Sequence, residues 1–242
     1  MVAVVAAIGV TAVLLRPAGQ GGGGVRVAGS TTPTTRPAPA GPLPGWETIP
    51  IDEAVCDRNP SSHVPGTPPD SLLPRAVVEP AFTGAVQAVT GPVASATRAT
   101  WESYSAKLDG PSGYLEVEVP MDNGNGQLQL EVRVYGGTPV AMAGASLYFY
   151  GECLPPARHV LADGTVLQLH QVHPGNPQQP VQHLRIYRPD GREYILTAAG
   201  WSEADLVPTG GGAFTIAGGR GKLPTTGAQL AEIATRLVTN LG

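Results

Sequence analysis

The chain has 242 residues, 42 % of them hydrophobic and 14 % charged, and glycine and proline together supply 57. That apolar fraction can sustain one core, while the glycine and proline load suits a loop-rich β protein joined to unstructured chain. Only two of the 15 basic residues are lysine and the formal net charge is −4, so no basic stripe exists to neutralise a run of phosphates and nucleic acid is excluded as a partner.

Val2–Leu15 is a run of 14 small and aliphatic residues closed by Arg16-Pro17. It is shorter than the roughly 20 residues that span a bilayer, yet long enough for the core of an export signal. Residues 1–16 are therefore expected to be a short membrane anchor with the rest of the chain outside the membrane, the alternative being a secretory signal. Either reading makes the remainder extracytoplasmic. Residues 17–45 hold four consecutive glycines, Gly21–Gly24, and a Thr/Pro run, a composition that cannot build a packed core and reads as a disordered stalk. The charge is split accordingly. Residues 1–45 contain Arg16, Arg26 and Arg36 and no acid, so the rest sets 19 acids against 12 bases, a net −7.

Residues 46–242 form the expected extracytoplasmic domain. Cys56 and Cys153 are the two cysteines. An even count in an exported chain argues for a disulfide, which across this separation contributes about 4–5 kcal/mol in the loop-entropy account; two buried thiols are the alternative. Prolines recur between Pro60 and Pro92, each removing a backbone donor, which predicts irregular chain with at most short elements. Ala94–Leu108 fits either period, and the Asp109-Gly110 corner tilts it toward one arm of a hairpin.

Tyr114–Val119 and Leu128–Tyr135 alternate strictly. Leu115, Val117 and Val119 oppose Glu116 and Glu118, and Leu128, Leu130, Val132 and Val134 oppose Gln129, Glu131 and Arg133. Each strand thus predicts one face for the core and one for water. Ser146–Tyr150 reads as a further, interior strand. Two Asp-Gly corners follow, Asp163-Gly164 and Asp190-Gly191, flanked by period-two segments in which Val166, Gln168 and His170 share one face and Leu167, Leu169 and Gln171 the other. Last comes a helix, Gly227–Leu241, with Leu230, Ile233, Ala234, Leu237, Val238 and Leu241 on one stripe. Thr226 and Gln229 have the form of a capping box and Glu232 faces Arg236 one turn on. The expected fold is α+β, an antiparallel sheet of about six or seven strands with one C-terminal amphipathic helix packed on it.

Motifs that would carry chemistry fail in detail. His159, His170, His173 and His183 cluster in sequence, but residues three apart on a strand face opposite ways, so strand-end solvation explains them better than a metal. Asp122–Gly126 resembles a calcium loop but places Arg133 where a bidentate glutamate is required. Gly218–Lys222 lacks the first glycine of a phosphate loop and is followed by Leu223, so it reads as a mobile loop. No catalytic, cofactor or metal residue is assigned. The remaining acids, Glu116, Glu118, Glu131, Glu203 and Asp205, are the available carboxylates for hydrolytic chemistry if the fold brings two together.

Cys153, Leu161-Ala162-Asp163-Gly164-Thr165-Val166, Arg188-Pro189-Asp190-Gly191 and the Leu230-Ala231-Glu232-Ile233-Ala234-Thr235 helix together resemble membrane-anchored or secreted proteins of unknown function from high-GC Gram-positive bacteria. The resemblance implies an envelope location and transfers no catalytic residue. The expected function is a non-enzymatic binding or structural module, tethered to the membrane through residues 1–16 and meeting an envelope protein or cell-wall ligand. The alternative is a hydrolase of an envelope polymer. A concave pocket holding two carboxylates would favour the enzyme, and exposed aromatics such as Trp101, Tyr148, Tyr150 or Trp201 would favour binding.

Overall fold

The computed structural model describes residues 43–52, 64–93, 96, 98–105, 110–148, 154–173, 176–210 and 213–242. Two antiparallel meanders make its main sheet. One runs through β2 (Arg98–Ser105), β3 (Gly110–Met121) and β4 (Gly124–Val134), the other through β5 (Ala157–Val160), β6 (Val166–Leu169), β7 (Val181–Tyr187) and β8 (Arg192–Ala199), with the two-residue β1 (Glu47–Thr48) on its outer edge. They join where β4 pairs with β8, Leu130 opposite Leu196, giving the spatial order β1-β5-β6-β7-β8-β4-β3-β2. A separate ribbon pairs β9 (Leu206–Gly210) with β10 (Ala213–Ile216). Three helices accompany the strands: α1 (Arg75–Thr90), α2 (Pro139–Ala145) and α3 (Gly227–Leu241).

Turn chemistry sets the registers. Gly164 and Gly191 sit at φ 85° and 79°, which a Cβ would resist. The side chains of Asp163 and Asp190 accept from the backbone N–H of Thr165 and Arg192 at 2.9 and 3.1 Å. The second corner places Tyr187 opposite Glu193 and Leu184 opposite Leu196.

One face of the sheet is apolar. Leu115, Val117, Leu128, Leu130, Val132, Leu167, Leu184, Ile186 and Leu196 are fully buried there with the stripes of α1 (Val78, Phe82, Ala85, Val86) and α3 (Leu230, Ile233, Ala234, Leu237). At about 1.5–3 kcal/mol for each large side chain taken from water, this layer supplies most of the fold's driving force. The two helices touch each other as well as the sheet, and Asn240 Nδ2 donates to the Ala81 carbonyl at 3.3 Å. The capping box of α3 forms as its sequence predicts: Gln229 N–H donates to Thr226 Oγ1 at 3.2 Å, and Thr226 N–H to Gln229 Oε1 at 2.9 Å.

Several expectations are corrected. Among the described residues the main sheet has eight strands rather than six or seven, and three helices occur rather than one. The proline-rich stretch between Pro60 and Pro92 contains α1, 16 residues long. Pro74 occupies its N-cap, where no helical donor is lost, and Pro80 lies on its exposed side, so the apolar stripe prevails over a missing hydrogen bond. Ser146–Tyr148 is a turn closing α2 and not a strand, because Thr138 caps that helix through Ala141 N–H and Pro139 opens it. Arg98–Ser105 is the hairpin arm that the Asp109-Gly110 corner suggests.

The transmembrane helix is not retained: among the described residues no helix is long and apolar enough to cross a membrane. Residues 1–16 and the stalk up to residue 42 lie outside the described residues. No disulfide is seen among the described residues, and Cys56 and Cys153 both lie outside them.

Replacing Pro80 by alanine restores an α1 donor at an exposed position and should raise the urea midpoint. Phe82→Ala empties a fully buried site and should cost about 3–5 kcal/mol in the same measurement.

Candidate functional site: the polar face of the sheet

The face of the sheet turned away from α1 and α3 is not a wet one. Glu116, Gln127, Gln168, Arg185 and Glu193 on it are all buried, from 0 to 5 % exposed. Over β6 and β7 the cover includes α2 and the turn that follows it. A charge or amide in such a place must find partners or forfeit several kcal/mol.

Gln168, Arg185 and Glu193 share one chain of hydrogen bonds, whereas the buried amide of Gln127 has no hydrogen-bond partner among the described residues. Arg158 donates through Nε and Nη2 to Gln168 Oε1 at 3.1 and 2.7 Å. Gln168 Nε2 donates to Ser146 Oγ at 3.0 Å, and the Tyr187 hydroxyl donates to the same oxygen at 2.6 Å. Tyr187 in turn accepts from Arg185 Nη1 at 3.2 Å, and that guanidinium nitrogen pairs with Glu193 Oε1 at 2.9 Å. Ser146 completes its own set by donating to the Ala143 carbonyl at 3.1 Å. Its one proton and both acceptor positions are thus committed, which removes it as a nucleophile. Burial pushes the Tyr187 hydroxyl well above its ordinary range, so it acts as a proton-bearing donor throughout the accessible pH scale.

Two histidines extend this face. The backbone N–H of His170 donates to the His183 carbonyl, and the His183 ring lies 2.9 Å, Nδ1 to Oγ1, from Thr197 on the facing strand. Burial, reinforced by the charge of Arg185, lowers both to about 3, so the rings are neutral at pH 7. His170 is buried and His183 half-buried within the sheet, rather than both being solvated at strand ends, which corrects the sequence expectation for this pair. His159 is elsewhere, stacked on Trp46 at 5.7 Å between ring centres, with Nδ1 2.8 Å from the Gly45 carbonyl. Among the described residues no three histidine, cysteine or acidic side chains stand where they could hold a metal.

The candidate carboxylates are mostly engaged. Glu118 accepts from Asn125 Nδ2 at 2.8 Å, and Glu131 meets Arg133 at 2.6 Å. Asp205 pairs with Arg220 at 3.0 Å and accepts from Ser202 N–H at 2.8 Å. Burial opposes the Asp205 charge, but these donors hold its carboxyl below the usual range. Glu116 differs. Burial raises it, the hydrogen bond from the Tyr114 hydroxyl at 2.5 Å acts against that, and the charge of Glu203 raises it further. Glu203 and Glu118 are therefore the acids whose charges reach Glu116.

The aromatics named from sequence are not displayed. Trp101 packs at the margin of the helix-side core, Tyr148 is half-buried with its hydroxyl accepting from Asp52 N–H, and Trp201 is half-buried. Tyr150 lies outside the described residues. What is exposed instead is Phe214 at 40 % and Val207 at 44 %, on the β9–β10 ribbon. An open depression beside the start of α3 has no carboxylate in its lining.

Sequence reasoning passed over Ser146, Gln168, Arg185 and Tyr187. The signal available was the Asp190-Gly191 register, which sets His183, Arg185 and Tyr187 on the same face as Gln168. Comparison with protein-family models, curated proteins and solved structures finds no match, so the site is argued from its own geometry.

Glu193→Gln removes the carboxylate from the buried pair with Arg185 and should destabilise the fold, whereas the double change Arg185→Met with Glu193→Met should recover most of that loss, both read by urea unfolding. Acid should also destabilise the fold through the histidines. Between the ordinary value of 6.5 and about 3 the unfolded chain binds a proton at His170 that the folded chain refuses, so stability falls as pH drops through 6.5. The slope is about 1.4 kcal/mol per pH unit for each such histidine. Glu116, raised in the fold, has the opposite sign in the window just above its ordinary value. His170→Gln should flatten the melting temperature between pH 6.5 and 4, and an unchanged slope would contradict the buried neutral ring.

Proposed function

We propose that this chain is a non-enzymatic, extracytoplasmic binding module for an envelope protein or cell-wall component, and that it makes contact through the β9–β10 ribbon. Pairing of Phe214 with Pro208 and of Ile216 with Leu206 places four apolar side chains on one side of a two-stranded element outside the main sheet. An isolated ribbon is marginal in water, and this one is held at its base. Ala217 N–H donates to the Asp205 carbonyl, Gln179 Nε2 donates to the carbonyls of Ile216 and Gly218, and Arg220 pairs with Asp205. The observation that carries the reading is this supported element presenting Phe214 to solvent, since apolar surface left in water marks contact sites. The export expectation rests on the Val2–Leu15 run and the Thr/Pro-rich stretch that follows it.

A hydrolase is the second reading, favoured by one feature: Glu116 is a desolvated acid with a second acid, Glu203, within reach of its charge. Cross-linking in intact envelope separates the two. The binding reading expects a discrete adduct with the wild-type chain that disappears with Phe214→Ser at unchanged melting temperature. Turnover of a wall polymer by the purified chain, abolished by Glu116→Gln, would establish the hydrolase instead.

A further inference from the structure

The hydrogen bonds of the β9–β10 ribbon fall in a definite phase. Ala217 N–H donates to the Asp205 carbonyl at 2.9 Å, so Ile216 and Leu206, the neighbouring pair, turn their own backbone groups outward. Pairs alternate along an antiparallel ladder: Thr215 and Val207 bond to each other, and Phe214 and Pro208 turn outward again. The outer edge of β10 thus carries the backbone groups of Phe214 and Ile216, and the outer edge of β9 those of Leu206 and Pro208.

The two edges differ in what remains unbonded. On β9, Pro208 has no N–H and the N–H of Leu206 donates to the Glu203 carbonyl, so neither residue offers a donor. On β10, the Ile216 carbonyl accepts from Gln179 Nε2 at 2.8 Å. Of Leu206, Pro208, Phe214 and Ile216, Phe214 alone keeps both a donor and an acceptor without a partner among the described residues, and its side chain is 40 % exposed. An N–H and a C=O on one edge residue are their own complement: about a two-fold axis, each copy's Phe214 N–H meets the other copy's Phe214 carbonyl. Charge favours the same partner. No residue from Leu206 to Ala217 is charged, in a chain of formal net charge −4, so two copies can meet here without the repulsion that their acidic remainder imposes.

We propose that β10 pairs antiparallel with β10 of a second copy of this chain, about a two-fold axis at Phe214. Paired residues share a face, so the apolar sides of the two ribbons, each made of Leu206, Pro208, Phe214 and Ile216, merge into one surface. An isolated two-stranded ribbon is marginal in water, and the joined sheet removes that weakness. Pro208 closes the outer edge of β9, so association stops at the dimer and does not run on into a fibre. The inference rests on the ribbon being a contact surface, and it names a second copy, itself expected in the envelope, as what meets it.

Sedimentation equilibrium of the purified full chain, with amide hydrogen exchange followed over the same concentrations, tests this. A reversible monomer–dimer equilibrium is expected with no larger species. The Phe214 amide should gain protection in step with the dimer, while that of Thr215, already bonded within the ribbon, changes little. Phe214→Val keeps the outward N–H and should weaken the dimer only a few-fold, whereas Phe214→Pro removes that N–H and should leave the chain monomeric. Both changes lie outside the main sheet, so melting temperatures at the lowest concentration should match the wild type. A monomer at every concentration, a dimer without protection at Phe214, species beyond the dimer, or a Phe214→Pro chain that still dimerises would overturn the proposal. A monomeric chain whose envelope adduct with a different protein still disappears with Phe214→Ser would overturn the second copy alone and leave the ribbon a contact surface. An adduct that survives Phe214→Ser would overturn both.

Discussion

The apolar face of a broad antiparallel sheet cannot be left in water, and the rest of this structure depends on how that face is covered. Leu115, Leu128, Leu130, Leu184, Ile186 and Leu196 present a continuous hydrophobic surface across four adjacent strands. Neither α1 nor α3 is wide enough to cover it alone, so the two lie together on it and share the Asn240–Ala81 hydrogen bond. They come from far apart in the chain, one before the first meander and one after the second. Covering the face therefore draws both meanders into one sheet and makes the β4–β8 pairing the seam of the molecule.

With that face sealed, the opposite face is free to carry polar groups, and it carries them buried. The Arg158–Gln168–Ser146–Tyr187–Arg185–Glu193 chain ties α2 to β5, β6, β7 and β8 through directional bonds, beside a small apolar cluster of Tyr135, Ala143, Val166 and Tyr187. A network of this kind adds little net stability, because desolvation offsets most of what the bonds return. Its consequence is geometric: each partner has one acceptable position, and a slip of one residue in β7 would turn Arg185 into the apolar core. Specifying the β6–β7–β8 register is thus a more economical role for these side chains than catalysis. The elements left with unspent surface are peripheral, namely the β9–β10 ribbon and the loop before α3.

Much of the fold is legible in the sequence where one signal is local and unopposed. The stripe, capping box and Glu232–Arg236 pair of α3 lie within 15 residues and reappear as bonds in the structure. The alternation of Leu115–Val119 and Leu128–Val132 likewise predicts which apolar residues reach the core. Legibility fails where two signals conflict. Val78, Ala81, Phe82, Ala85 and Val86 carry a helical stripe weaker than that of α3, the surrounding prolines argue against a helix, and only the structure shows that Pro74 occupies the N-cap and Pro80 faces solvent. Ser146–Tyr148 fails for the converse reason, since its aromatic character outweighs the Thr138-Pro139 start signal just before it. The polar network is hidden by distance: Ser146 meets Gln168 across 22 positions and Tyr187 across 41, and no local spacing encodes such a meeting.

Native-state hydrogen exchange tests most directly the claim that α1 and α3 together complete the core. Amides in the second half of α1, from Phe82 to Val89, should exchange only through global unfolding, with the same opening free energy as those of β4, β8 and α3. Exchange of α1 through a separate, lower-energy opening while the sheet and α3 stay protected would show that the face is sealed without it, and would contradict the account.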